Sequence, residues 1–140
     1  MVEIIAGEKG KGKTRQLLDR VSADVKKSNG SLIFIDKNNQ HMFELDSKVR
    51  LINMEDFDMN TTGEFLGFLA GIISSNRDIE KIYLDSFLTI AFIDTTEGLD
   101  DAIDKLTKLS DKFETDFLLS VSKNAGDLPD SVKDKIIVSL

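Results

Sequence analysis

The chain has 140 residues, 41% of them hydrophobic and 31% charged, a length and balance that suit one compact domain with a buried core. There is no cysteine, which excludes disulfides and thiolate metal sites, and the lone His41 excludes a histidine cluster. A formal net charge of −7 disfavours non-specific binding to nucleic acid, because such binding needs clustered Lys and Arg to displace counterions from phosphates.

The opening MVEIIAG lacks a basic segment followed by a long apolar run. No uncharged apolar stretch approaches the ~20 residues of a membrane-spanning helix. A soluble, cytoplasmic protein with no membrane partner is expected. With one proline and no Gly/Ser-rich or low-complexity stretch to act as a linker, residues 1–140 are read as a single domain.

Short apolar runs alternate with longer periodic ones, which predicts a three-layer α/β/α sandwich around a mainly parallel sheet. Val2 to Ala6 reads as the first strand. Lys13 to Lys27 follows as a helix, with Leu17, Leu18, Val21 and Val25 at helical spacing and Ser28-Asn29-Gly30 as its stop. Strands are expected at Ser31 to Asp36 and, more weakly, at Val49 to Asn53. Glu64 to Ser74 carries a wide apolar face, and its Gly67 and Gly71 are expected to permit close packing of a buried helix. Lys81 to Asp85 is the next strand. Phe87 to Ile93 (FLTIAFI) is apolar on nearly every side and reads as core, the alternative being an exposed patch that waits for a partner. The acidic stretch from Asp94 to Asp104 reads as solvated surface and helix N-terminal charge. Leu99 to Phe113 should be a surface helix, with Ile103, Leu106, Leu109 and Phe113 on one side. Phe117 to Ser122 is the fifth strand, and Ile136 to Leu140 allows a sixth.

Between the first strand and the first helix stands GEKGKGKT, Gly7 to Thr14, which satisfies G-x-x-x-x-G-K-[ST]. From average residue frequencies a chance match arises in roughly 0.5% of chains of this length. The strand before it and the helix after it make chance a poorer account. In this pattern the glycines let successive backbone N–H groups turn toward phosphate oxygens, and the helix N-terminus adds a positive dipole end. The segment therefore predicts binding of ATP or another nucleoside triphosphate with Mg²⁺. Gly7, Glu8, Lys9, Gly10, Lys11, Gly12, Lys13, Thr14 and Arg15 are its candidate contacts. Lys13 should reach the β- and γ-phosphates, and the Thr14 hydroxyl should face the Mg²⁺ that bridges them. Lys9 and Lys11 either add positive charge or are simply solvated. A second element, KIYLDS, ends an apolar strand in Asp85, at the strand end where ligands bind in parallel sheets. Asp85 is the second candidate metal ligand beside Thr14, although an Asp in this position often only caps the next helix.

The chain resembles the RecA-like ATPases of the phosphate-loop NTPase superfamily. Beyond the loop, the resemblance rests on IFID at Ile33 to Asp36, TGE at Thr62 to Glu64, LDS at Leu84 to Ser86 and LLSVS ending at Ser122. It implies a RecA-like fold in which the strand ending at Ser122 lies between the loop strand and the Asp85 strand. It also implies a γ-phosphate sensor at Ser122, with Lys123 and Asn124 beside it, and assembly into rings or filaments, hence a homo-oligomer or a protein partner. With Lys13 and Asp85, Ser122 completes the candidate catalytic set. The chain departs from the family at Asn38, which stands where a water-activating Glu is usual, and an amide cannot accept a proton as a carboxylate does. Asp36, Glu64 or Glu97 could substitute, and nothing in the sequence selects one.

Neither D-x-x-G after Asp85 nor N-K-x-D near Ser122 is present, which counts against a GTPase. A small-molecule kinase would normally clamp the transferred group with several lid arginines, yet Arg77 is the last arginine. Arg15, Arg20, Arg50 and Arg77 are the only guanidinium groups, and surface solvation is the simpler role for each. His41 reads as a surface or turn residue. Two main readings result: a RecA-like Mg²⁺-dependent ATPase, and a nucleotide-switched binding module with little hydrolysis, which Asn38 favours; a small-molecule kinase with a lysine lid is the third alternative.

Overall fold

The computed structural model describes all of residues 1–140. Six strands form one sheet: β1 (Val2–Ala6), β2 (Ser31–Asp36), β3 (Val49–Asn53), β4 (Ile79–Leu84), β5 (Asp116–Val121) and β6 (Ile136–Ser139). Every pairing is parallel and the order across the sheet is β3-β2-β4-β5-β1-β6. β5 thus lies between β1 and β4, as the resemblance implied.

The two faces of the sheet follow from the two-residue period of the strands. Ile4, Ile33, Ile35, Ile82, Leu84, Phe117 and Leu119 point to one side and join a core of 26 buried residues. On that side pack α2 (Thr62–Ser75), the short α3 (Phe87–Ile90) and α4 (Thr96–Phe113). Ile5, Leu32, Phe34, Tyr83 and Leu118 point the other way, onto Leu17, Leu18 and Val21 of α1 (Lys13–Val25). The result is an α/β/α sandwich in which a single helix covers the second face.

A polar contact fixes α1 on that face. Tyr83 Oη donates to Asp24 Oδ2 at 2.5 Å, and Lys81 Nζ reaches the same oxygen at 2.9 Å. Burial and the Asp24 carboxylate push the Tyr83 hydroxyl well above its ordinary pKa. Burial alone would raise the Asp24 pKa, but the hydrogen bonds from Tyr83 and Lys81 outweigh it and hold the carboxyl below its usual range.

Phe87, Ile90, Ala91 and Ile93 are buried, so the apolar run after β4 is core, with Thr89 and Phe92 left exposed. α4 begins three residues before Leu99, because the Thr95 side chain accepts from Gly98 N–H and opens the helix there. The close packing expected at Gly67 and Gly71 is not found. Both glycines lie on the solvent side of α2, where an added Cβ would meet nothing within 4 Å. The buried face of this helix is instead Phe65, Leu66, Leu69 and Ile73.

Gly67→Ala should therefore raise stability by about 0.5–1 kcal/mol, since alanine loses less backbone entropy in an exposed helix interior. A lower urea midpoint for the variant would contradict this. Tyr83→Phe should cost about 1–2 kcal/mol at pH 7, as a hydrogen bond to a charged group is lost. Because the folded Asp24 pKa is depressed, this contribution is present above its unfolded value and fades as pH falls through the folded one. Denaturant curves of the two proteins should converge in acid.

Candidate functional site

The parallel register brings the carboxyl ends of β1, β5, β4 and β2 to one edge of the sheet, with Ala6 beside Val121 and Leu84 beside both Leu119 and Ile35. Chain segments leaving those ends build the site. β1 passes into Gly7, whose N–H donates to Val121 O at 3.3 Å. A Cβ at Gly7 would stand 3.0 Å from Leu140 Cβ and 3.2 Å from its carbonyl oxygen, so a side chain there would crowd Leu140. Gly10 (φ +83°) and Gly12 (φ +93°) adopt left-handed conformations that a side chain would strain. Lys11 N–H closes the loop onto Glu8 O at 3.3 Å.

The N–H groups of Lys9, Gly10, Gly12, Lys13, Thr14 and Arg15 have no backbone acceptor. Those of Lys13 to Arg15 are the orphan donors of the first turn of α1. Lys13 is buried as a residue, and its Nζ donates to Glu8 O at 3.0 Å. Burial lowers its pKa, and the charge of Asp85 works against that fall.

Thr14 Oγ1 donates to Asp85 Oδ2 at 3.0 Å. Asp85 follows directly on β4, is 3% exposed, and takes a second hydrogen bond on Oδ1 from Ser120 Oγ at 2.6 Å. Ser120 Oγ in turn accepts from Ser86 N–H at 2.8 Å, at a residue with φ +55°. The aspartate does not cap α3, since its oxygens accept only from the Thr14 and Ser120 hydroxyls. Lys9, Gly10, Gly12, Lys13, Thr14, Asp85, Ser120 and Ser122, with Lys37 and Ser86, surround a polar cavity of about 200 Å³.

The predicted residues divide clearly. Lys13, Thr14 and Asp85 converge, and exposed Ser122 lies on the same cavity wall. Glu8 turns its carboxylate to Asn124 Nδ2 at 2.8 Å, which ties the loop to the segment after β5. Arg15 turns away from the cavity toward Asp19 and Glu44, both at 3.4 Å. Lys11 is exposed. Ser120 was missed. The only sequence signal for it was a serine inside an otherwise apolar strand, two residues from Ser122 and thus on the same side of β5.

Of the candidate carboxylates, Glu64 is held in a capping box, accepting from Asn60 N–H at 3.0 Å and Thr61 Oγ1 at 3.1 Å. Glu97 sits exposed in the first turn of α4. Asn38 uses its side-chain oxygen on Gln40 N–H at 3.0 Å. Only Asp36, the last residue of β2, comes near the cavity. It is 1% exposed, and donor atoms of Asp36, His41 and Asp85 all lie within 4.8 Å of one another. Asp36 Oδ1 accepts from Lys37 N–H at 2.7 Å, whereas Oδ2 has no partner. Burial and the neighbouring Asp85 charge raise the Asp36 pKa above the usual carboxylate range. His41 does sit in a turn, but at the edge of this cluster rather than out on the surface.

No family model matches the sequence, and no curated protein matches it. The architecture, a wholly parallel six-stranded sheet with helices on both faces, is an α/β fold of the RecA-like class. Among solved structures, it is similar to the flagellar accessory protein FlaH from Methanocaldococcus jannaschii, with a TM-score of 0.61 at 16% identity. The match covers 94% of this chain and 64% of the FlaH chain, so this chain spans under two thirds of that protein's length. At this identity the likeness carries the fold alone. No helix is long and apolar enough to cross a membrane.

Asp36→Asn should raise the melting temperature at pH 7, in chelator, by about 3 °C, because it removes a buried charge facing a second carboxylate. The raised pKa means that the folded state holds the Asp36 proton more tightly than the unfolded chain. The penalty is therefore greatest above the folded pKa and vanishes as pH falls below the unfolded one. Melting curves from pH 7 down to pH 4 check both the sign and the convergence.

Proposed function

We propose that the chain binds ATP with Mg²⁺ at the Gly7–Thr14 loop and hydrolyses it slowly. The observation that carries this reading is the hydrogen bond from Thr14 to buried Asp85, at the mouth of a loop in which the amides of Lys9, Gly10, Gly12, Lys13 and Thr14 have no backbone acceptor. The donors fit a hard cation, being a hydroxyl and a carboxylate with no sulfur-bearing side chain on the cavity wall. Thr14 and Asp85 would hold Mg²⁺, which when bound neutralises charge on the β- and γ-phosphates. The loop amides and the start of α1 orient the phosphate chain. Lys13 exchanges the Glu8 carbonyl for phosphate oxygen, so its ammonium meets the charge that develops on the transferred group. Ser120 fixes the Asp85 carboxylate, and Ser122 stands on the cavity wall as the group that would sense the γ-phosphate.

Slow turnover follows from the local hydrogen bonding. Asn38 is an amide already used in its own turn, Glu64 is spent on capping, and Asp36 is a carboxylate only 1% exposed. None stands free at the cavity as a base for the attacking water. The same observation supports the second reading, a nucleotide-switched binding module in which the bound state rather than the chemistry is the output.

Phosphate release and equilibrium binding of ATP with Mg²⁺, measured across protein concentrations, test both readings. Lys13→Ala should weaken ATP binding at least tenfold. Asp85→Ala should abolish turnover, and Ser122→Ala should lower turnover while binding is retained. Turnover that rises more than linearly with protein would indicate an oligomeric ATPase. Tight binding without turnover would select the switch, and no ATP binding by the unaltered chain would sink both.

A further inference from the structure

We propose that Asp36, His41 and Asp85 form a site for a first-row divalent transition cation such as Zn²⁺ or Co²⁺, adjoining the phosphate loop and able to fill without nucleotide. It shares Asp85 with the function proposed above but needs neither Lys13 nor Thr14.

The first observation is the orphaned oxygen. Asp36 Oδ2 is a carboxylate oxygen with no partner on a residue 1% exposed, and it sits beside a second buried carboxylate. Buried polar atoms are nearly always satisfied, so an unpaired one facing another negative group marks a place where positive charge belongs. Neither exposed Lys37 nor buried Lys13 bonds that oxygen: Lys37 reaches Asp36 only through its backbone N–H, on Oδ1, and Lys13 Nζ bonds the Glu8 carbonyl.

The second observation is how His41 is held. Its Nδ1 lies 2.5 Å from Glu44 Oε2, and the other Glu44 oxygen accepts from Arg15 Nη1 at 3.4 Å. A carboxylate clamped on one imidazole nitrogen fixes the tautomer and leaves the lone pair of the other, Nε2, to a ligand. Metal-binding histidines are commonly oriented this way. The salt bridge to Arg15 keeps Glu44 in position for that task.

The donor set then selects the ion. Two carboxylates and an imidazole suit Zn²⁺, Co²⁺ and Mn²⁺, whereas Mg²⁺ prefers oxygen donors alone. Donors about 2.1 Å from a shared ion stand about 3–4 Å apart, so the present limit of 4.8 Å must close by about 1 Å. His41 lies between β2 and the short turn Met42–Glu44, outside the sheet, where such a shift leaves strand hydrogen bonds intact.

The chain has one histidine and no cysteine, so any transition-ion site with an imidazole donor must include His41. That makes the test direct. Calorimetric titration with ZnCl₂, without nucleotide or Mg²⁺, should show one ion per chain, and the proton NMR signals of the single imidazole should shift as the site fills. CoCl₂ should bind more weakly than ZnCl₂ and MnCl₂ more weakly still. His41→Gln and Asp36→Asn should each weaken Zn²⁺ binding more than tenfold, and Glu44→Gln by about tenfold. Circular dichroism checks that each variant is folded. Lys13→Ala should bind Zn²⁺ as the unaltered chain does, and His41→Gln should keep its affinity for ATP with Mg²⁺. The two readings therefore fail separately: loss of ATP binding with Zn²⁺ binding intact touches only the nucleotide site. Zn²⁺ affinity within twofold of the unaltered chain in both His41→Gln and Asp36→Asn would overturn the proposal, as would imidazole signals unmoved at saturating Zn²⁺.

Discussion

The carboxylate of Asp85 is buried at the end of a central strand, and a charge in that position must be partnered or it destabilises the fold. Thr14 and Ser120 supply the partners, one from the start of α1 and one from the neighbouring strand β5. Through these two bonds a single side chain connects three segments far apart in sequence. Ser120 also receives the Ser86 N–H, so the left-handed turn that carries the chain from β4 into α3 is held by the same hydroxyl. The placement of the loop, of α1 and of the start of α3 all depend on it.

The surrounding architecture keeps that edge rigid. α1 is the only helix on its face of the sheet, and its apolar stripe is supplemented by the Asp24 contact to Tyr83 and Lys81 at the end away from the loop. Anchored at one end through Asp24 and at the other through Thr14, the helix presents its unpaired N-terminal amides in a fixed direction. A preorganised set of donors of this kind binds an anion without a cost of reorganisation. The larger core, on the opposite face, absorbs the apolar run after β4 and so leaves the site edge polar.

Charge is distributed unevenly at this edge. Lys9, Lys13 and Lys37 border the cavity, while the Asp36 carboxylate and the His41 imidazole gather close to Asp85. In an acidic chain, that local reversal of sign makes the loop the natural place for an anion and the Asp36 cluster the natural place for a cation. Two opposite binding tendencies meet at Asp85.

The sequence alone determined the strands, the main helices and the loop, because each is written in local periodicity or in short glycine spacing. The carboxyl-end position of Asp85 followed from the apolar strand KIYL before it. Tertiary structure alone decided which polar groups meet. Ser120 and Ser122 are alike in sequence, and only the neighbouring strand β4 makes the first the buried partner of Asp85 while the second stays exposed. Gly67 and Gly71 suggested close packing, but only the placement of α2 showed that its opposite face is the one in the core. Asp36 and His41 are five residues apart across a turn, and nothing local says that both would face Asp85, which arrives from another strand. Periodicity specifies which face of an element is buried, but hydrogen bonds and ion clusters depend on strand order and register, and those are settled only when the whole sheet assembles.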